Sequence, residues 1–175
     1  MKEMLAAACL TLASTAALGA EPLFGFKADG FRAVFNSSAA ARKTERFVGA
    51  PQCKNGPPVV CEYRFTSVIR ATVSAEQADA NANEVTIVFA RPTYNIKGHT
   101  LISYRIYGDV VHVLSPSATP AARGAAIRKL LSALHTTNKE VIDVGAVRYA
   151  LDMKRTGVRF AAKPLQPEAA AAKAY

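Results

Sequence analysis

The chain has 175 residues, half of them hydrophobic and 20% charged, with no tryptophan. That length gives one domain a real core and is short for two, and the balance excludes an intrinsically disordered polypeptide. Twenty-two Lys and Arg against 13 Asp and Glu give a net charge of +9, which favours anionic partners but, unless clustered, serves solubility equally well.

Lys2 precedes an apolar run from Met4 through Leu18, which closes on Gly19 and Ala20 before Glu21 and Pro22. This is the pattern of a secretory signal, so residues 1–20 are expected to be removed. A membrane anchor needs about 20 apolar residues and usually carries less Ser and Thr. Cys9 follows too short an apolar stretch to form a lipoprotein cleavage box. Cleavage takes Cys9 with it and leaves Cys53 and Cys61, an even number in a compartment where disulfides persist. It also takes Lys2 and Glu3 together, so the net charge stays at +9. The abundant alanine points to a GC-rich bacterial source, and so to the periplasm or the medium as destination.

Residues 21–163 are expected to form a single exported α+β domain. Glu21 to Lys27 is an apolar lead-in, an edge strand or an irregular arm. Asp29 then offers an N-cap, and Phe31, Val34, Phe35 and Ala39 recur at helical spacing to about Ala41. Cys61, Tyr63 and Phe65 alternate with polar residues, as do Ile69, Ala71 and Val73, with Thr66-Ser67 as the turn between them. Val85 to Phe89 adds a further strand, and consecutive strands of this kind argue for an antiparallel meander.

Leu101 to Leu114 changes period. Two helical rows run through it, Leu101, Tyr104, Gly108, Val111 and Ile102, Ile106, Val110, Val113, predicting a largely buried helix, with a strand pair about Gly108-Asp109 as the competing reading. Thr119 and Pro120 are an N-cap and first-turn pair for a helix from Ala121 to His135. Val147, Tyr149, Leu151 and Met153 alternate, Lys154 to Gly157 turns, and Val158, Phe160 and Ala162 alternate again, a terminal hairpin. Residues 164–175 are too poor in large apolar side chains to pack and are expected to be a disordered C-terminal tail. The sum is an α+β fold, an antiparallel sheet of about five or six strands with two or three helices packed on it.

Cys53 and Cys61 bracket Lys54-Asn55-Gly56-Pro57-Pro58, strong turn chemistry that lets the chain double back and form a structural disulfide. A redox pair favours Cys-x-x-Cys at a helix start, and a metal site needs further ligands that no nearby His supplies. His112 lies three residues after Asp109, so on a helix the two share a face and the carboxylate can orient the imidazole. A helix-surface or interface pair explains that spacing better, since His99 and His135 lie in other segments and no zinc-protease pattern exists. Ser115 and Ser117 near His112 read as turn residues before nucleophiles. Asn36-Ser37-Ser38 matches a glycosylation sequon inside the first helix. No P-loop, dinucleotide fingerprint or nucleophile elbow is present, so no cofactor and no metal is expected.

The basic residues fall in small groups, Arg42-Lys43-Arg46, Arg123-Arg128-Lys129 and Lys154-Arg155, without the dense stripe and interleaved aromatics of a nucleic-acid binder. The leading expectation is a non-catalytic exported binding or accessory protein that engages a partner protein or an anionic envelope component. A small secreted basic hydrolase of phosphoesters or nucleic acid, with His112 and Asp109 as its candidate groups, is the enzymatic alternative. An envelope-associated protein held to anionic lipid or polysaccharide is the other alternative.

Overall fold

Seven antiparallel strands and three helices are formed by the described residues of the computed structural model, which are 24–44, 48–90, 97–134, 136–154 and 156–165, with the side chains of 97–103 excepted. The expected signal at 1–20 and most of the expected tail, 166–175, lie outside them. The strands are β1 Gln52–Lys54, β2 Val59–Arg64, β3 Ile69–Ala75, β4 Glu84–Ala90, β5 Lys139–Val144, β6 Val147–Lys154 and β7 Gly157–Pro164. Their spatial order is β1-β2-β3-β4-β7-β6-β5. Two meanders therefore meet where β4 pairs with β7, and the helices α2 Lys97–Leu114 and α3 Pro120–Ala133 connect them.

The α+β class stands as expected, with a strand count slightly above five or six. The two strands without a reading in the sequence lie at the two edges. β1 has three exposed residues, and β5 carries apolar side chains on successive positions, so neither shows a clean alternation. The segment from Lys97 to Leu114 is a helix, not a strand pair. It begins four residues before the expected start, which puts the backbone of His99 on the same helix as Asp109 and His112 and not in another segment.

All three helices cover one face of the sheet, because on β2 to β7 alternate residues point to that face and nearly all of them are apolar. Phe31 of α1, Phe31–Ala41, packs edge-on against Tyr63 of β2, with ring centroids 5.4 Å apart. Tyr107 of α2 sits between Phe89 of β4 and Phe160 of β7, 4.7 Å from each, and Phe160 stacks on Tyr149 of β6. Such rings bury more apolar area than any other side chain and add a further fraction of stabilisation when tilted or offset, so this column forms the centre of the core. Gly157 makes the β4–β7 crossing close: its φ is +148°, and a Cβ there would lie 1.9 Å from the carbonyl oxygen of Phe89.

Helix ends follow their chemistry with one exception. Thr119 Oγ1 accepts a hydrogen bond from the Ala122 N–H, and Pro120 takes the first helical position, as its sequence requires. Asp29, expected to cap α1, instead lies inside a 3-10 turn, Ala28–Gly30, that leads directly into the helix, so Gly30 takes the cap position without a side-chain bond. Val34 is half-exposed and does not join the core row of Phe31, Phe35 and Ala39. At the other end of the chain Pro164 closes β7 and Leu165 is buried, its N–H bonded to the Ala146 carbonyl, so the packed domain extends past the expected boundary at 163.

Candidate functional site

The Asp109–His112 spacing does place both residues on α2, and their surroundings assign them different tasks. Asp109 is 3% exposed and its carboxylate forms an ion pair with the Arg42 guanidinium, which arrives from the end of α1. A buried carboxylate needs such a partner, and the pair ties α1 to α2 across a gap of 67 residues in sequence. His112 is half-buried. Burial lowers its pKa below the usual 6.5, Arg123 and Arg42 lower it further, and the charge of Asp109 opposes them. Its surroundings therefore disfavour the protonated imidazole.

Ser115, the candidate nucleophile, is engaged inside the core. Its Oγ donates to the Val144 carbonyl at 2.9 Å and accepts from the Tyr149 hydroxyl at 2.7 Å, which fixes the end of α2 to β5 and β6. Burial raises the Tyr149 phenol far above its ordinary pKa, so it remains a donor at any physiological pH. Arg123 donates from Nη1 to the carbonyls of Ser115 and Pro116, at 3.1 and 3.2 Å, and to that of Ala118. It closes the α2–α3 loop by bonding carbonyls that lie between the two helices. The Arg42–Asp109 ion pair thus bolts α1 to α2, and Arg123 fastens the loop that leads into α3.

Cys53 and Cys61 are direct cross-strand partners in the β1–β2 hairpin, with Cα atoms 4.0 Å apart and an S–S distance of 2.07 Å. Closing so short a loop stabilises by roughly 2–3 kcal/mol through the unfolded chain. The amide of Asn36 in the sequon is also occupied: Nδ2 donates to the Val48 carbonyl and Oδ1 accepts from the Val48 N–H, at 3.1 and 2.8 Å. His135 lies outside the described residues, as do Arg46 and Arg155. Among the described residues no three His, Cys, Asp or Glu gather to hold a metal, and no helix is long and apolar enough to cross a membrane.

The feature that residue-by-residue reading misses is the other face of the sheet. Register aligns its side chains in rows across the strands. The central row runs Thr72 (β3), Thr86 (β4), Ala161 (β7), Ala150 (β6), all small. One flanking row carries Arg64, Arg70, Val88, Arg159, Asp152 and Lys139. The other holds Glu84, followed by Lys163, Arg148 and Asp143. The outcome is a shallow trough floored by Thr and Ala and walled by long, mostly cationic side chains. Thr86 and Ala161 are the deepest points of the floor, both nearly buried between those walls.

The four carboxylates on this face are all engaged by cations. Glu62 meets Arg70 at 3.3 Å and Arg64 at 3.8 Å, Glu84 meets Arg159 at 2.7 Å and Lys163 at 3.0 Å, Asp143 meets Arg148 at 2.9 Å, and Asp152 meets Lys154 at 3.5 Å. Two carboxylates serve two cations each, and Lys54 and Lys139 add to the excess, so the face is net positive. Burial alone would raise the Glu84 pKa, but hydrogen bonds from Lys163 and Thr86 and the charges of Lys163 and Arg159 outweigh it and hold the carboxyl below its usual range. Beside Arg70, Val68 and Val88 line a depression of about 270 Å³. Cations are not confined to the sheet, since Arg32, Lys43, Arg105 and Arg128 lie on the helical side.

No protein-family model matches the chain, and neither does any curated protein or solved structure.

Proposed function

We propose that this chain is an exported, non-catalytic binding protein that holds an acidic segment of a partner protein against the open face of its sheet. The observation that carries the reading is the trough. Four small side chains in one register row leave room for a ligand backbone, and Arg70 and Arg159 on one wall with Lys163 and Arg148 on the other supply donors to carboxylates. An extended acidic chain lying across the strands meets both walls at once. The spread of cations over both sides of the molecule favours this local recognition over adsorption of the whole protein to an anionic surface, which is served best by one charged side. Asp109 in its ion pair and Ser115 in its core hydrogen bonds favour binding over phosphoester hydrolysis.

The test is capture from the extracytoplasmic fraction of the native host with the wild-type chain and with Arg70→Glu/Arg159→Glu. The wild type is expected to retain a partner that elutes as salt rises, and the double variant to lose it while keeping its melting temperature within a few degrees. Binding of both chains to anionic vesicles with equal strength would favour the envelope reading. Export has its own readout: the chain recovered from that fraction is expected to lack residues 1–20 by mass.

A further inference from the structure

β5 ends the sheet on the side away from the disulfide, and its backbone polarity is fixed by the hairpin it forms with β6. The Met153 N–H donates to the Asn138 carbonyl, and Val144 pairs with Val147 across a two-residue turn. Alternation then directs the backbone groups of Glu140, Ile142 and Val144 towards β6, and those of Lys139, Val141 and Asp143 outward. Nearby side chains meet two of the outward groups: Glu140 Oε1 accepts from the Val141 N–H at 3.3 Å, and Thr137 Oγ1 donates to the Lys139 carbonyl. The Val141 side chain is 56% exposed. A cleft of about 430 Å³ runs along this edge, lined by Lys129, Val141, Ile142, Asp143, Arg148 and Leu165.

Edge strands are usually guarded by charge. Here the guard is self-complementary. We infer that β5 pairs antiparallel with β5 of a second copy, with Val141 on the two-fold axis. In that register Val141 exchanges both backbone hydrogen bonds with Val141 of the second copy, and Lys139 and Asp143 each do so with the other's counterpart. The side chains of Lys139 and Asp143 then lie directly opposite across the seam, twice, and the two exposed Val141 side chains cover each other. A shift of the pairing by two residues in one direction brings Glu140 against Glu140, and in the other sets Val141 against Asp143. Charge complementarity therefore selects one register. Because directly opposite residues point to the same side, the axis is perpendicular to the sheet and both troughs face the same way. The inference stands independently of what the trough binds.

Light scattering and sedimentation of the full chain over a range of concentrations test it. A concentration-dependent dimer is expected. Val141→Pro, which removes the N–H on the axis, is expected to abolish it; that N–H has no part in the β5–β6 ladder, so the variant should keep its circular dichroism. Lys139→Asp and Asp143→Lys each set like charges opposite one another and are expected to weaken the dimer by about tenfold or more. An equimolar mixture of the two restores opposite charges at both contacts and is expected to re-form a heterodimer. A wild-type chain that stays monomeric throughout overturns the inference. So does a dimer unmoved by Lys139→Asp, or a mixture that fails to reassociate.

Discussion

The two faces of one sheet divide the work of this molecule. On the covered face β2 to β7 present Tyr, Phe, Ile or Val to the helices, and the rings of Phe89, Tyr107, Phe160 and Tyr149 form a continuous column. One residue along the same strands, the open face shows Val88, Arg159, Ala161 and Ala150, of which Arg159 is exposed and Val88 is 43% exposed. The chain thus alternates between positions that hold the core and positions that no helix covers, and adjacent residues should answer substitution very differently.

The largest expected effect comes from the column. Phe160→Ala removes a ring that touches both Tyr107 and Tyr149, and should cost about 3–5 kcal/mol in chemical denaturation. Ala161→Ser, one residue on, should cost less than about 1 kcal/mol. Similar losses at the two positions would end the division between faces.

That division was half-legible in the sequence. Alternation in Cys61-Tyr63 and in Ile69-Ala71-Val73 gave the inward set of β2 and β3, and the alternation from Val147 to Ala162 gave the terminal hairpin. The outward set was equally present as residues, but the trough exists only through register: Thr72, Thr86, Ala161 and Ala150 are far apart in sequence until β4 pairs with β7. β5 escaped because Glu140 points inward beside Val141 pointing outward, the reverse of what a half-buried strand shows. Tyr107 escaped for a related reason. On a helix buried around much of its circumference no single row marks the residue that reaches the sheet. For the Asp109–His112 pair the spacing was readable, but the partner Arg42 was not, and that ion pair gives the Asp109 carboxylate a structural task.

An intermediate effect should separate the faces by pH. His112, on the helical side, has a folded pKa held below 6.5 by burial and by Arg123 and Arg42. The unfolded chain therefore binds the proton first, and stability present above about pH 6.5 should fall as the pH drops below it. Glu84, on the open face, also has a lowered folded pKa, through Lys163, Thr86 and Arg159, so its contribution is present above the usual carboxyl value of 4.5 and is lost as the pH falls through its lower folded value. Thermal melts across this range should show two separate declines. His112→Gln should remove the upper one and leave the lower, and Glu84→Gln should do the reverse; a single decline untouched by His112→Gln would show that the surroundings do not disfavour the protonated imidazole.

The smallest effect is the one on which the recognition role depends. Arg70 meets Glu62 at 3.3 Å, but the two side chains are 50% and 36% exposed, and ion pairs so open to water contribute little because solvent screens the attraction and ordering two long side chains opposes it. Arg70→Ala should shift stability by no more than about 0.5 kcal/mol. A cation that the fold does not need is available to a ligand, since exchanging Glu62 for a partner's carboxylate loses almost nothing within the protein. If Arg70→Ala instead lowered the melting temperature as far as a core substitution does, the pairs of the open face would be structural, and the trough would lose its claim to be a binding surface.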